Sequence, residues 1–237
     1  MTAPEPRVHL LDVEGTVAPI SLVSEQLFPY ARAHVAGFLK QNLGLPEVQN
    51  DLELLAAENR EEPSEDSPTF GVEIRNELHA RAYLLWLMDR DRKSTALKSL
   101  QGRIWKAGFE GGELKGTLFA DVPAAFARWA SRGKVAIYSS GSVEAQQLLF
   151  RHSIYGDLTP LIASYFDTRT GPKSESASYA AIAKDLSVDS AEVIFFSDVV
   201  RELDAARAAG CATRLVVREG NAPVEDARGH EVVSVLV

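Results

Sequence analysis

The sequence is poor in cysteine, in positive charge and in long apolar runs. Cys211 is the only cysteine among 237 residues, which excludes an intramolecular disulfide and a cysteine-rich zinc site. The 25 lysines and arginines are outnumbered by 33 aspartates and glutamates, and the net charge of -8 argues against a nucleic-acid-binding surface. No segment approaches the ~20 apolar residues of a membrane helix. We therefore expect a soluble cytoplasmic protein that binds neither nucleic acid nor membranes.

The most informative stretch is VHLLDVEGT, from Val8 to Thr16. A short apolar run ends at two acidic residues, Asp12 and Glu14, and Gly15 permits a turn after them. Carboxylates at the end of a buried strand must pair with a cation, bind a metal or shift their pKa values, because an unpaired buried charge is costly. The alternative is that Asp12 only caps a turn and that Glu14 points to solvent. The pair alone leaves both interpretations open.

The order of the predicted elements indicates a parallel α/β domain that carries a helical insertion. Apolar residues recur every three or four positions between residues 23 and 108, which predicts an all-helical segment. Around it, strands are predicted at 8–11, 134–139, 193–196 and 213–217, and helices at 143–151, 177–186 and 201–209. Apolar strands that alternate with helices are typical of a parallel sheet covered on both faces. We predict a three-layer, Rossmann-like α/β core in residues 1–20 and 119–237, with residues 21–118 as a helical domain.

Within the helical segment, the apolar spacing predicts helices at 23–41, 46–57, 72–91 and 95–107. The polar stretch NREEPSEDSP, residues 59–68, is expected to form a surface loop because it combines charge with proline and serine. After the segment, Asp121 is expected to cap a helix that runs to Arg132, with Pro123 in its first turn.

Polar residues follow three of the predicted strands and are expected to meet at one edge of the sheet. They are Asp12 and Glu14, then Ser139 and Ser140, and finally Asp198. Ligands of open parallel sheets bind outside the carboxyl ends of the strands. Carboxylates that face an anion require a hard cation, and an oxygen-only ligand set suits Mg²⁺. Because the serines begin a helix, whose N-terminus favours anions, the site implies Mg²⁺ and a phosphoryl group.

Four motifs, in chain order, resemble those of the haloacid dehalogenase-like phosphatases. They are DVEGT, the strand-end serine, a lysine before a helix, and SDVVREL. The resemblance implies that Asp12 is the nucleophile that attacks phosphorus and that Glu14 is the general acid and base. It also implies one Mg²⁺ per subunit, held by Asp12, Glu14 and Asp198, and a cap domain in the helical insertion.

The same resemblance assigns residues to the substrate phosphate. Ser139, Ser140 and Lys173 are expected to bind it, and Glu202 is expected to orient the water shell of the metal. Lys173 lies on a strand-end loop, just before the predicted helix at 177–186. A lysine at this position would supply positive charge to the site. Composition alone favours the alternative that Lys173 is an ordinary surface lysine.

Longer strings narrow the resemblance to the enolase-phosphatases of methionine salvage, the acireductone synthase family. They include PISLVSEQLFPYAR, GFEGGELKG, IYSSGSVEAQQLLFRHSIYGDLTPLI and SYFDTRTGPKSESASY, together with Glu14 where most haloacid dehalogenase-like phosphatases have Asp. This resemblance implies an enzyme that enolises and then dephosphorylates 2,3-diketo-5-methylthiopentyl 1-phosphate, a small phosphorylated diketone. We expect the protein to be a monomer. Two alternatives stay open: a phosphatase of the same fold that acts on another small phosphoester, and a non-catalytic binding protein.

Overall fold

The structure, a computed structural model, describes residues 6–61 and 64–237, which divide into two compact units. One unit contains the residues up to Val23 together with Gly112–Val237, and the other is Ser24–Gly111. The first is an α/β unit and the second is helical. The predicted domain bounds, with a cap role for residues 21–118, stay a prediction.

A parallel sheet forms the centre of the α/β unit and has six strands within the described residues. The strands are β1 (Val8–Leu11), β2 (Lys134–Tyr138), β3 (Ser164–Phe166), β4 (Val193–Ser197), β5 (Ala212–Val216) and β6 (Glu231–Val233). Their order is β3-β2-β1-β4-β5-β6, and every neighbouring pair is parallel. The three central strands are buried over nearly their whole length, which explains their continuous apolar sequences. The predicted parallel α/β fold is confirmed.

Helices flank the sheet and make up most of the helical unit. They are α1 (Phe28–Asn42), α2 (Pro46–Glu61), α3 (Glu77–Asp89), α4 (Thr95–Glu110), α5 (Val122–Ala130), α6 (Val143–Arg151), α7 (Ser176–Asp185) and α8 (Val200–Ala208). A π-helical segment, Leu22–Leu27, precedes α1. In the described part of the chain, no helix combines the length and the apolar character that a bilayer span requires.

The two edge strands were not predicted from the sequence. β3 and β6 have three residues each, and β6 leaves Val232 more than half exposed. Three residues are too few to show a period of two, so the pattern gave no signal there.

The helical unit buries the apolar faces of α1 to α4 in one core, but two of these helices begin later than predicted. α1 begins at Phe28 rather than at residue 23, because the six residues before it are π-helical. α3 begins at Glu77 rather than at residue 72. Its start is set by Asn76, whose side chain accepts a hydrogen bond from the backbone N–H of His79 at 3.0 Å.

The predicted surface loop at residues 59–68 is shorter than expected. α2 continues to Glu61, so the first residues of that stretch are helical, and residues 62–63 lie outside the described part of the chain. Asn59 is buried and accepts a hydrogen bond at Oδ1 from the Thr69 hydroxyl at 3.0 Å. Buried polar groups need such partners, and this bond holds the end of α2 to the chain that follows.

The prediction that Asp121 caps α5 is wrong. Asp121 stands at the N-cap position but makes no side-chain hydrogen bond to the helix. Its Oδ2 instead accepts from the Arg218 guanidinium at 2.8 Å and from the backbone N–H of Leu236 at 2.6 Å. A bond to a buried charged guanidinium is stronger than a neutral cap bond, so it decides where the carboxylate points.

His9 is a titratable side chain that β1 places against an aromatic surface. Its ring stacks on Trp129 of α5 with centroids 4.3 Å apart, and its Nδ1 is buried without a hydrogen-bond partner among the described residues. Burial, together with the positive charge of Arg128, lowers the pKa of His9 to about 4.

Acid is therefore expected to destabilise the fold through His9. Between pH 6.5 and about 4, the unfolded chain binds a proton at His9 that the folded chain does not bind, so the free energy of unfolding falls as the pH falls. His9→Phe keeps the ring stacking and removes this titration. In urea unfolding across that window, the stability of the native protein should fall more steeply than that of the variant. Parallel pH profiles would contradict the expectation.

Candidate active site

The carboxyl ends of the central strands bring the predicted site residues to one edge of the sheet. Leu11 of β1 is in register with Ile137 of β2 and with Phe196 of β4. The residues that follow these positions therefore lie at the same edge of the sheet. They include Asp12, Ser139 and Asp198.

Asp12 is buried, and both of its carboxylate oxygens have partners. Oδ1 accepts from the backbone N–H of Val13 at 2.7 Å and lies 2.6 Å from the Lys173 ammonium. Oδ2 lies 3.3 Å from the hydroxyl of Ser197, which can donate to it. The interpretation of Asp12 as a turn cap alone is therefore wrong, because its carboxylate is the partner of a buried cation.

Lys173 joins Asp12 to a second carboxylate. Its ammonium lies 2.6 Å from Asp12 Oδ1 and 2.6 Å from Glu202 Oε2, and its side chain is 10% exposed. Burial alone would lower the pKa of Lys173, but the Asp12 and Glu202 carboxylates raise it above its ordinary value. Lys173 is thus a buried, charged group of the cluster and not an ordinary surface lysine.

Three other carboxylates, those of Glu14, Asp198 and Glu202, interact electrostatically with Asp12, and each has a raised pKa. Burial and the charge of Asp12 raise the pKa of Glu14, although Lys173 opposes the shift. The same two causes raise the pKa of Asp198 to about 7. Burial and Asp12 also raise the pKa of Glu202. The cluster therefore holds more negative charge than its lysine can balance.

This excess of oxygen ligands and negative charge fits a divalent cation such as Mg²⁺. Among the described residues, no three His, Cys, Asp or Glu side chains are grouped closely enough to hold a metal ion unaided. Mg²⁺ in proteins commonly takes one or two carboxylates and keeps several waters or phosphate oxygens as its other ligands. An acidic cluster with too few side-chain ligands for a closed site is therefore compatible with Mg²⁺.

Ser139 and Ser140 lie in the turn between β2 and α6. The Ser139 hydroxyl accepts from the backbone N–H of Gly141 at 3.1 Å, and the Ser142 hydroxyl accepts from Ala145 N at 3.3 Å and caps α6. The turn therefore places both serines at the beginning of α6, where backbone N–H groups favour an anion. That they bind phosphate stays a prediction.

Gly15 is required by the close packing of the loop after β1. Its φ is +70°, and a Cβ atom there would lie 2.3 Å from Asp198 Oδ2 and 3.2 Å from Asn221 Oδ1. No side chain fits in this space unless Asp198 moves. The glycine thus lets the two acidic strand ends approach each other.

Three supporting residues were not among the predicted site residues. The Ser197 hydroxyl lies between Asp12 and Glu202, 3.0 Å from Glu202 Oε2. After β5, Asn221 donates to the carbonyl of Gly15 at 2.9 Å, and Arg218 donates to the carbonyl of Thr16 at 3.2 Å. For Arg218 and Asn221 the signal in the sequence was their position, because both lie just after β5 at the same edge of the sheet. Ser197 is the last residue of β4 and directly precedes Asp198.

Comparison with known proteins agrees with this geometry. A model of the haloacid dehalogenase-like hydrolase family matches residues 6–210. The chain is 54% identical over 217 residues to the enolase-phosphatase E1 of Synechococcus elongatus, with 91% of this chain and 90% of that protein covered. It is 45% identical over 229 residues to the enolase-phosphatase E1 of Sorangium cellulosum, with 96% and 95% covered.

A solved structure supports the fold over the same extent. The UTR4 protein of Saccharomyces cerevisiae is 38% identical and superposes with a TM-score of 0.81, with 98% of each chain covered.

Gly15→Ala is expected to destabilise the protein more than a glycine substitution with similar backbone strain. Gly229 has a φ of +74°, and a Cβ there would meet only Arg207 Nη1 at 3.9 Å, so Gly229→Ala tests the strain alone. That strain should cost about 1–2 kcal/mol, and Gly15→Ala should cost more because Asp198 must also move. Urea unfolding measures both. Equal losses of stability would show that the contact between Gly15 and Asp198 is not limiting.

Proposed function

Because this chain belongs to the haloacid dehalogenase-like hydrolases and, within them, to the enolase-phosphatase E1 family, we propose that it is an enolase-phosphatase of methionine salvage. It is a phosphatase, and its substrate is a small phosphorylated molecule. The proposed reaction converts 2,3-diketo-5-methylthiopentyl 1-phosphate to the acireductone 1,2-dihydroxy-5-(methylthio)pent-1-en-3-one and phosphate. The observation that carries the proposal is the buried Asp12 carboxylate, paired with Lys173 and followed two residues later by Glu14.

Asp12 acts as the nucleophile in this proposal. Its carboxylate attacks phosphorus, the bond between phosphorus and the substrate oxygen breaks, and an aspartyl-phosphate forms on Asp12. Lys173 and Ser197 support this role because they hold the two carboxylate oxygens in a fixed orientation. Water then hydrolyses the aspartyl-phosphate and regenerates the Asp12 carboxylate.

Glu14 acts as the general acid and base. It donates a proton to the leaving oxygen of the substrate and takes one from the attacking water in the second step. The raised pKa of Glu14 supports this assignment, since a carboxyl group must be protonated before it can act as an acid.

Phosphatases of this family generally use Mg²⁺. We propose one ion per subunit, held by the carboxylates of Asp12 and Asp198 and by Glu14 through its backbone carbonyl or its side chain, with waters and phosphate oxygens as the remaining ligands. Glu202 orients the water shell of the ion. When bound, Mg²⁺ supplies positive charge that stabilises the phosphoryl group and the developing enolate. Ser139, Ser140 and Lys173 bind the substrate phosphate, and residues 21–118 serve as the cap domain.

Asp12→Asn is expected to abolish phosphate release from the diketone substrate, because an amide cannot form the aspartyl-phosphate. The native protein with Mg²⁺ should release phosphate and show the transient ultraviolet absorbance of the enol. Asp157→Asn is the matched control, since Asp157 is an exposed carboxylate of the same unit whose side chain bonds only to Thr159 in the described structure. Its activity should equal that of the native protein.

Two outcomes would contradict the proposed function. One is a folded native protein that releases no phosphate from this substrate. The other is a strong preference for different phosphoesters, such as sugar phosphates, in a panel of substrates. The second outcome would favour a phosphatase of the same fold with another substrate.

Metal removal is expected to abolish activity reversibly. Chelation with EDTA should stop phosphate release, and added Mg²⁺ should restore it. Asp198→Asn should weaken Mg²⁺ binding at least tenfold in calorimetry, because removing one charged ligand costs more than about 1.4 kcal/mol. Asp157→Asn should leave the affinity unchanged. Full activity after exhaustive chelation would overturn the metal assignment.

A further inference from the structure

Three buried hydroxyl groups donate to three consecutive carbonyls in the loop that carries Lys173. The bonds run from Tyr138 to Gly171, from Ser178 to Pro172 and from Tyr179 to Lys173, at 2.8, 2.8 and 2.7 Å. We call Tyr138, Ser178 and Tyr179 the hydroxyl clamp. The Pro172 carbonyl also accepts from the backbone N–H of Glu175 at 3.1 Å. The Gly171 and Lys173 carbonyls lie outside the helices and strands, and the two phenol hydroxyls supply their hydrogen bonds.

The clamp residues stand on rigid elements. Tyr138 is the last residue of β2, and Ser178 and Tyr179 lie in the first turn of α7. The three residues are 0%, 3% and 1% exposed. The Tyr138 and Tyr179 rings meet edge to face with centroids 5.6 Å apart, and Tyr179 also packs on Phe195 of β4 at 5.0 Å. Both phenol groups are therefore fixed by packing before they donate.

Gly171 lets the loop approach α7 closely enough for these bonds. Its φ is +146°, and a Cβ atom there would lie 2.3 Å from the Ser178 hydroxyl. Any larger residue would push the loop away from the helix. The position of the loop is thus set by the three hydrogen bonds of the clamp and by the close contact between Gly171 and Ser178.

The Lys173 side chain lies close to the Tyr138 ring of the clamp. The Lys173 ammonium is 5.9 Å from the ring centroid of Tyr138 and 5.9 Å from that of Phe195. These are the two rings that pack against Tyr179. A lysine side chain is flexible, and the position of its ammonium depends on where its backbone is held. Here the backbone carbonyl of Lys173 is itself bonded to Tyr179.

We propose that Tyr138, Ser178 and Tyr179 are positioning residues that act through Lys173. They fix the backbone of residues 171–173 so that the ammonium stays between Asp12 and Glu202, where it meets the anionic phosphoryl group. Their hydroxyl groups do not touch the substrate. This inference rests on the proposed function, in which Lys173 binds the substrate phosphate.

The test measures the affinity of the Mg²⁺-loaded protein for inorganic phosphate by calorimetry or by ³¹P NMR titration. Tyr179→Phe removes one hydroxyl and keeps the ring, and it should weaken phosphate binding about three- to tenfold, as expected for the loss of one buried hydrogen bond. In a Lys173→Gln background, the same substitution should have no further effect. This difference separates positioning of Lys173 from a general loss of structure, which would weaken binding in both backgrounds.

Tyr165→Phe is the matched control. Tyr165 lies on β3, and its buried hydroxyl has no hydrogen-bond partner within the described residues. Its loss should therefore leave phosphate affinity unchanged. Should Tyr179→Phe fail to fold, Tyr138→Phe removes the bond to the Gly171 carbonyl and keeps the ring, with the same expected weakening.

The outcomes distinguish failure of the clamp from failure of the proposed function. Suppose that Lys173→Gln weakens phosphate binding. The positioning role is then overturned if Tyr179→Phe weakens phosphate binding equally in the native and Lys173→Gln backgrounds, or if it has no effect in the native background. If Lys173→Gln binds phosphate as tightly as the native protein, the phosphate-binding role of Lys173 is wrong and the clamp proposal falls with it. Weakening that depends on Lys173 supports the proposal.

Discussion

The pairing of one buried ammonium with two carboxylates is the interaction on which the site depends. Lys173 lies 2.6 Å from both Asp12 and Glu202, and all three side chains are largely removed from water. Breaking a buried pair by removing one partner is costly, because the remaining charge is left uncompensated. The end of β1, the loop before α7 and the first turn of α8 must therefore be in place together.

The loops around this cluster are held by side chains rather than by further secondary structure. Asn221 and Arg218 donate to the carbonyls that follow Glu14, and the hydroxyl clamp donates to the carbonyls around Lys173. Loops at strand ends cannot use the ladder of the sheet, so buried donors take its place. Functional side chains are thus carried on loops whose backbone carbonyls are hydrogen-bonded to side chains.

Features that depend on neighbouring residues were predicted from the sequence more accurately than features that depend on distant ones. β1 and α6 were predicted well, since a continuous apolar run and a helical spacing of residues are local signals. The role of Asp121 was predicted wrongly, because its partner Arg218 lies far along the chain and outcompetes the local cap. The late start of α1 and the short edge strands carried no periodic signal. A local rule such as helix capping fails where a distant charged partner competes for the same side chain. A periodic pattern gives no signal in an element of only a few residues.

The sequence by itself determined the parallel α/β fold and the family, because continuous apolar strands that alternate with helices and the DVEGT, lysine and SDVVREL motifs can be recognised without coordinates. It also indicated which residue types could meet at one edge of the sheet. Only the tertiary structure decided that Lys173 is buried between Asp12 and Glu202, that Ser197 bridges the same carboxylates, and that three hydroxyl groups hold the lysine loop. These contacts join residues distant in sequence, and their energies depend on burial and distance, which exist only after the chain has folded.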